Sequence, residues 1–411
     1  MALTGLSIFK LLPKTNCKKC GMPTCLAFAM QLAQKRAKLD SCPFVSDEAK
    51  QALDAASAPP MRLIKFGQGD HQVQVGQETV LFRHEEKFHN PAAVGATVSD
   101  SLTGDALIAR IKAVNDLQFE RVGLHLGVNA LVLRNDSGSP KSFRDAASSV
   151  KQNSKLAVIL WADSSDAIQG ALEELADTVP LIGSATGKTI EAMAGLAKTH
   201  KCPLVVKADS LQALADLTEK AVALGVEDLV LSLDGLSVKD QLYTWSKARV
   251  LALKKGCRTL GYPTLSIVDQ GDASAQTADA ASLLCKYGNI VAVDSVEPAV
   301  HLALLTVVTN IYTDPQKPIQ VESKLYEIGE PDQTSPVLFT TNFSLTYYTV
   351  ESDVEASRIP AYILVVDTEG TSVLTAYSGD KLNEECVKAA IDKFEVEKKV
   401  NHRKMIIPGY V

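Results

Sequence analysis

The chain has 411 residues, of which 46% are hydrophobic and 6% aromatic, and its 42 basic against 48 acidic side chains leave a formal charge of −6. That much apolar material builds two or three domains with cores of their own, and excludes a chain that is disordered overall. The acidic balance excludes a nucleic-acid surface, which needs a basic stripe, and no apolar run reaches the ~18 residues of a membrane span. Residues 1 to 30 lack a signal-peptide pattern. Cys202, Cys257, Cys285 and Cys386 are scattered singly, as reduced thiols are, so a cytoplasmic protein is expected.

Thr4 can cap a short helix that runs to Leu12 and ends at Pro13. There follows the densest chemistry of the chain, Cys17, Cys20, Cys25 and Cys42, in C-x2-C-x4-C-x16-C spacing, with Gly21 and Pro23 inside the loop and Pro43 after the last thiol. Four soft thiolates suit tetrahedral zinc or an iron-sulfur cluster. A zinc ribbon wants two C-x2-C knuckles and this stretch has one, whereas three clustered cysteines plus a remote fourth beside proline is the cluster habit. The reading is a 4Fe-4S cluster, with zinc and unligated thiols as alternatives. Leu26 to Lys38 reads as a helix, which puts Cys25 at a helix N-terminus where N–H groups favour anionic sulfur. Lys18, Lys19, Lys35 and Arg36 either tune that site and dock an acidic redox partner, or form a solvated face. A helix from Ser46 to Ala56 and the linker Ser57-Ala58-Pro59-Pro60 close this part.

Gln72–Val75 and Thr79–Phe82, separated by Gly76-Gln77-Glu78, read as a β-hairpin lid. From about residue 93 to 310, short apolar runs alternate with helix-length segments. The runs begin at Ala96, Ala130, Ala157, Pro180, Leu204, Leu229, Leu265 and Ile290. Eight doubly buried runs with helices between them predict a parallel (β/α)8 barrel. Asp163, Ser184, Asp209, Asp234, Asp269 and Asp294 follow or end these strands, where they either form a site or cap the next helices. Gly183-Ser184-Ala185-Thr186-Gly187-Lys188-Thr189 has three residues between its glycines where a phosphate loop has four, so it reads as a turn into a helix.

Pro315, Pro318 and Gly329-Glu330-Pro331 mark a second boundary. Beyond it, Val337–Thr340, Tyr362–Val366, Ser372–Thr375 and Met405–Ile407 read as strands. Leu382 to Phe394 reads as an amphipathic helix capped by Ser378 or Asp380. The result is a small open α/β domain of flavodoxin or Rossmann type that looks incomplete at Val411. Its strand-end stretches, Thr340-Thr341-Asn342-Phe343-Ser344-Leu345-Thr346 and Gly370-Thr371-Ser372-Val373, are rich in hydroxyls, which suits either ordinary turns or an amide-fringed cofactor such as a corrin. None of the seven histidines lies in an Asp-x-His-x-x-Gly arrangement, so a corrinoid here would lack a protein histidine ligand.

The thiol spacing, Thr341-Asn342-Phe343-Ser344-Leu345-Thr346 and Asp367-Thr368-Glu369-Gly370-Thr371-Ser372-Val373-Leu374-Thr375 together resemble the large (gamma) subunit of the corrinoid iron-sulfur protein of the acetyl-CoA (Wood–Ljungdahl) pathway. The resemblance implies an iron-sulfur domain over 1–57, a barrel over 61–312 and a corrinoid domain over 325–411. It implies that Cys17, Cys20, Cys25 and Cys42 ligate the cluster, and that Thr340, Thr346 and Gly370 to Val373 contact the corrinoid, with Thr341, Asn342 and Ser344 in the same loop. It further implies a heterodimer with a small subunit. A methyl group would pass from methyltetrahydrofolate, through a separate methyltransferase, to the cobalt and on to acetyl-CoA synthase/CO dehydrogenase, while the cluster returns Co(II) to Co(I). The rival readings are a pterin-binding barrel methyltransferase and a ferredoxin-like redox subunit.

Overall fold

The computed structural model describes residues 5–33, 36–37, 39–46, 50, 59–314 and 318–409. The expected Thr4 cap, most of the expected helix from Ser46 to Ala56, and Ser57 and Ala58 of the linker lie outside them. Helices Gly5–Leu11 and Cys25–Ala33 pack on each other around Ile8, Leu12, Cys25, Phe28, Ala29, Cys42 and Val45. Among the described residues this small core draws on no side chain beyond residue 45. The helix expected to reach Lys38 is described as helical through Ala33. Past that point the Arg36 N–H reaches the Gln31 carbonyl at 2.9 Å, a wider turn than the α-helical one.

A parallel barrel of eight strands follows: β3 (Ala93–Ser99), β6 (Ala130–Arg134), β7 (Ala157–Trp161), β8 (Leu181–Ala185), β9 (Leu204–Lys207), β10 (Leu229–Ser232), β11 (Thr264–Val268) and β12 (Ile290–Val293). They pair in chain order, and β12 closes on β3 with Ile290 opposite Ala93. Alternate residues divide between two apolar layers. Ala93, Ala130, Val132, Ala157, Ile159, Val205 and Ala292 fill the barrel, while Val94, Leu131, Leu133, Leu160 and Val291 meet the helices outside. No helix among the described residues is long and apolar enough to cross a membrane.

The expected hairpin forms with a different partner and in a different place. β2 (Val73–Gly76) pairs antiparallel with β1 (Leu63–Phe66), and Thr79–Phe82 is not a strand. Gly76 has φ +95°, and a Cβ there would lie 2.2 Å from the Arg62 carbonyl and 2.8 Å from Pro263, so the chain turns away at this point. Ile64, Phe66, Val73 and Val75 enter the inner layer, and Gly67 N–H bonds the Val179 carbonyl just before β8. The hairpin therefore plugs the N-terminal end of the barrel, opposite the end where barrel ligands bind, and does not act as a lid. Glu78 is buried beside it. Its Oε1 accepts from Arg249 Nη2 at 3.2 Å and from Asn289 Nδ2 at 2.5 Å, and its Oε2 lies 3.1 Å from Arg249 Nη1. A second hairpin, β4 (Gln118–Arg121) with β5 (Leu124–Gly127), stands between β3 and β6 and has no clear signal in the sequence.

The last part is a mixed sheet in which β13 (Leu325–Ile328) pairs antiparallel, and β14 (Val337–Thr341) parallel, with β15 (Ala361–Val366). Val337, Phe339, Tyr362, Leu364 and Val366 face Ala376, Leu382 and Ala390 on one side. Ala361, Ile363 and Val365 meet Tyr347 and Val354 of helix Ser344–Ser357 on the other. Two expected strands change. Val373 opens a short helix, Val373–Ser378, and the Met405–Ile407 stretch is reduced to one parallel bridge between Ile406 and Leu338. Asn383, not Ser378 or Asp380, caps the amphipathic helix Glu384–Lys393, accepting from Cys386 N–H at 3.0 Å.

Burial alone would raise the Glu78 carboxyl, but the charge and hydrogen bonds of Arg249 override it and hold the group below its ordinary value of 4.5. A carboxyl depressed in the folded state gives stability that is present above the unfolded value and lost as pH falls through the folded one. Glu78→Gln leaves Arg249 buried and unpaired, so a loss of about 3 to 5 kcal/mol is expected in urea unfolding of the barrel. The same variant should unfold with a shallower dependence on pH below the ordinary carboxylate range, measured by acid titration of circular dichroism.

Candidate functional site

In the thiol loop the backbone turns left-handed at Lys14, Asn16, Lys18 and Gly21, with φ of 59°, 48°, 63° and 79°. The loop is tied to the helix by Asn16, whose side chain accepts from Cys25 N–H at 2.8 Å and whose own N–H points to Cys25 Sγ at 3.4 Å. Thr24 caps that helix by accepting from Ala27 N–H at 3.1 Å, so Cys25 is its first residue, as expected. Cys25 and Cys42 are buried in the small core, Cys20 packs against it, and Cys17 is exposed. The Cys17 thiol is pulled below its ordinary value by the Lys19 N–H and the Thr15 hydroxyl. No three His, Cys, Asp or Glu side chains among the described residues converge as the shell of a single metal ion. The donor set fits an iron-sulfur cage: three thiols in or on one small core with Cys17 on the loop before it, N–H groups turned toward sulfur, and a loop free of regular structure around them.

The two hydroxyl-rich loops lie side by side because β14 and β15 are parallel neighbours, with Thr341 opposite Val366. Asn342 joins them. Its Oδ1 accepts from Thr368 N–H at 3.0 Å, Thr368 Oγ1 at 3.1 Å and Gly370 N–H at 2.9 Å, and its Nδ2 donates to Asp367 at 2.9 Å and Gln320 at 3.2 Å. Asn342 is thus wholly committed to holding the loops. Gly370 has φ +74°, and a Cβ there would press on Gln320 at 2.6 Å. The Thr371 hydroxyl donates to the Thr368 carbonyl at 2.7 Å and that of Ser372 to Thr375 Oγ1 at 3.0 Å, so both serve the turn.

Thr340 and Thr341 differ from these. They are 1% and 0% exposed, yet their hydroxyls have no hydrogen-bond partner among the described residues. A buried hydroxyl without a partner costs about 1 to 3 kcal/mol, a cost that a bound group can remove. Ser344 is buried and Thr346 and Val373 are half-buried at the same edge, next to Leu345, Leu374 and Tyr377, which are 50%, 57% and 52% exposed. Apolar side chains flanking orphaned hydroxyls fit an amide-fringed macrocycle. No histidine lies in either loop, and His402 is bonded to the Ser335 carbonyl at 2.9 Å.

At the C-terminal ends of the barrel strands the acidic residues are not caps. Ser164, Ser210, Ser237 and Asp272 cap the helices, while Asp163, Ser184, Asp269 and Asp294 bond to residues of other strands, and Asp209 is exposed. Arg134 pairs with Asp269 at 2.7 Å and Asp136 at 3.1 Å, and Lys207 with Asp163 at 2.8 Å. Asp163 also accepts from the buried Ser184 hydroxyl. Asp294 accepts from the Thr97 hydroxyl at 2.5 Å. Asp100, which sequence reasoning missed, is buried and accepts from Asn135 at 2.6 Å and from the Ser137 N–H and hydroxyl at 2.8 and 2.6 Å. In the phosphate-loop-like stretch the chain turns into helix Ile190–His200 and Lys188 is exposed, as expected.

The family model described as CO dehydrogenase/acetyl-CoA synthase delta subunit matches residues 63–411, and a model for an Fe-S cluster region matches residues 12–44. The "Corrinoid/iron-sulfur protein large subunit" of Moorella thermoacetica is 44% identical over 411 residues, spanning 100% of this chain and 92% of its own length. The "Acetyl-CoA decarbonylase/synthase complex subunit gamma" of Methanothermobacter thermautotrophicus is 37% identical over 422 residues, spanning 100% of this chain and 92% of its own length.

Thr340→Val keeps the shape of the side chain and removes the orphaned hydroxyl. The ligand-free chain is expected to gain up to about 1 kcal/mol against denaturant. A loss of stability would mean that the hydroxyl is satisfied within the fold.

Proposed function

Because the chain belongs to the family of corrinoid/iron-sulfur protein large subunits and acetyl-CoA decarbonylase/synthase gamma subunits, we propose that it is a methyl carrier of the acetyl-CoA pathway, with a 4Fe-4S cluster at its N-terminal end and a corrinoid at its C-terminal end. When bound, the corrinoid supplies a low-valent cobalt nucleophile for the methyl group, and the cluster supplies the electron that restores it after oxidation. The remaining roles fall to side chains of this chain. Cys17, Cys20, Cys25 and Cys42 are the cluster ligands, and the Asn16 N–H at Cys25 Sγ tempers the charge on that sulfur. Thr340 and Thr341 offer their orphaned hydroxyls, and Ser344, Thr346 and Gly370 to Val373 form the polar fringe around the ring, while Asn342 positions both loops.

The observation that carries this reading is the pair of buried, unpartnered threonine hydroxyls at the end of β14, on a strand edge flanked by exposed apolar side chains. Leu345, Leu374 and Tyr377 would be covered by the ring and by a small partner subunit of a heterodimer. No histidine lies in these loops, so a corrinoid held between them would take no histidine ligand from them. The methyl donor side would be a methyltetrahydrofolate methyltransferase and the acceptor acetyl-CoA synthase/CO dehydrogenase. Division into cluster (1–57), barrel (61–312) and corrinoid (325–411) parts agrees with a thiol core that, among the described residues, uses no side chain beyond residue 45.

Cys20→Ala is expected to abolish cluster assembly, read as the loss of iron and of its visible absorbance, while corrinoid content after anaerobic purification stays near wild type. Loss of both from a protein whose barrel still folds would overturn the modular assignment. Thr346→Val is expected to weaken corrinoid retention by about 0.5 to 1.5 kcal/mol, measured by equilibrium dialysis. Purified heterodimer without corrinoid absorbance would leave only a redox role.

A further inference from the structure

The two hydroxyl-rich loops are joined by a third piece of chain that belongs to neither. Between the last barrel helix, Pro298–Tyr312, and β13, Gln320 lies antiparallel to Phe343. The backbone there is tied on both sides of the bridge. Val321 N–H donates to the Asn342 carbonyl at 3.0 Å, and Ser344 N–H donates to the Ile319 carbonyl at 3.0 Å. The Gln320 side chain meets both loops. Its Oε1 accepts from Asn342 Nδ2 at 3.2 Å, and its Cγ and Nε2 would lie 2.6 and 2.9 Å from a Cβ at position 370. Glycine at 370 therefore leaves the space that this amide occupies, as well as supplying the positive φ of the turn.

Which end of the Gln320 amide is left free follows from backbone chemistry. The N–H groups of Thr368 and Gly370 can only donate, so the atom of Asn342 that meets them, at 3.0 and 2.9 Å, is its oxygen. The Asn342 NH2 group must then donate, and the atom of Gln320 opposite it is the acceptor Oε1. The Gln320 NH2 group remains. Gln320 is exposed, and its Nε2 makes no hydrogen bond among the described residues. A long side chain that is free to turn in most surface positions is here held by one end, so that its ordering is met before any ligand arrives. Its free donor stands where Asn342 and Gly370, one from each loop, come together. We propose that Gln320 is a further contact to the corrinoid, donating from Nε2 to the carbonyl of one of the ring's amide side chains, an inference that rests on the methyl-carrier reading. The cofactor is then gripped by the segment that leads out of the barrel as well as by the two strand-end loops.

Gln320→Glu tests the contact, because it keeps the length of the side chain and the oxygen that Asn342 needs while exchanging the free donor for an acceptor. In the intact chain loaded with hydroxocobalamin, equilibrium dialysis read by corrinoid absorbance is expected to show binding about two- to tenfold weaker than wild type, the loss of one hydrogen bond. Amide hydrogen exchange of the ligand-free chain supplies the control. At Thr368 and Gly370 it should stay at the wild-type rate in Gln320→Glu, whereas Gln320→Ala, which removes the acceptor as well, should speed it there and leave the barrel strands unchanged. Wild-type affinity in Gln320→Glu would overturn the proposal. So would faster exchange at Thr368 and Gly370 in that variant, since the weaker binding would then come from loosened loops and not from the missing donor. A wild-type chain that takes up no hydroxocobalamin would refute the methyl-carrier reading and the contact together, while a wild type that binds it beside an equally tight Gln320→Glu would refute the contact alone.

Discussion

Closure of the parallel ladder is the constraint on which the rest of the molecule depends. Once Ile290 of β12 pairs with Ala93 of β3, every barrel strand has two neighbours and no edge remains. A parallel barrel has two unlike ends, and each is dealt with by separate chemistry. The N-terminal end is filled by the β1–β2 hairpin, whose Ile64, Phe66, Val73 and Val75 complete the inner apolar layer. At the C-terminal end apolar filling gives way to ion pairs between residues of different strands.

Hydrogen-bond satisfaction separates the residues that hold this protein together from those that are poised for something else. Asn342 and Asp100 are buried and polar, but their bonding capacity is taken up by neighbours, and buried Glu78 is held by its ion pair with Arg249. Thr340, Thr341 and Asp234 are enclosed to different degrees and have side-chain oxygens without a bonding partner among the described residues. In a native protein such groups are uncommon because leaving them unmet costs free energy. The two places where they gather are both at the carboxyl ends of parallel strands, where helix N-termini and short polar loops converge.

The thiol region has a different economy. Its core is too small to carry much stability by burial, and two of its members, Cys25 and Cys42, are themselves the proposed ligands. Binding of an inorganic group there would couple directly to folding of the region, since the same sulfur atoms serve as packing and as donors. The Asn16 clasp on Cys25 and the Thr24 cap prearrange one of the four thiols, while Cys17 stays exposed to solvent.

Much was legible in the amino-acid order because it rests on local rules. The C-x2-C-x4-C-x16-C spacing, the eight apolar runs and the amphipathic helix near the C-terminus each follow from short-range periodicity or ligand count, and each has its place in the fold. What only the tertiary structure decided depends on partners distant in the chain. Thr79–Phe82 alternates as a strand should, but Leu63–Phe66 takes its pairing edge, and β13 escaped notice because its pairing with β15 spans some 36 residues. Ser372–Thr375 has strand-like composition, yet in a loop pinned by Asn342 it starts a helix. Whether Asp163, Asp234 and Asp269 capped helices or faced a ligand was undecidable from their positions one or two residues past each strand, since both roles call for the same residue. Closure of the barrel brought Arg134 and Lys207, from other strands, to two of them, while the carboxylate of the third has no partner among the described residues.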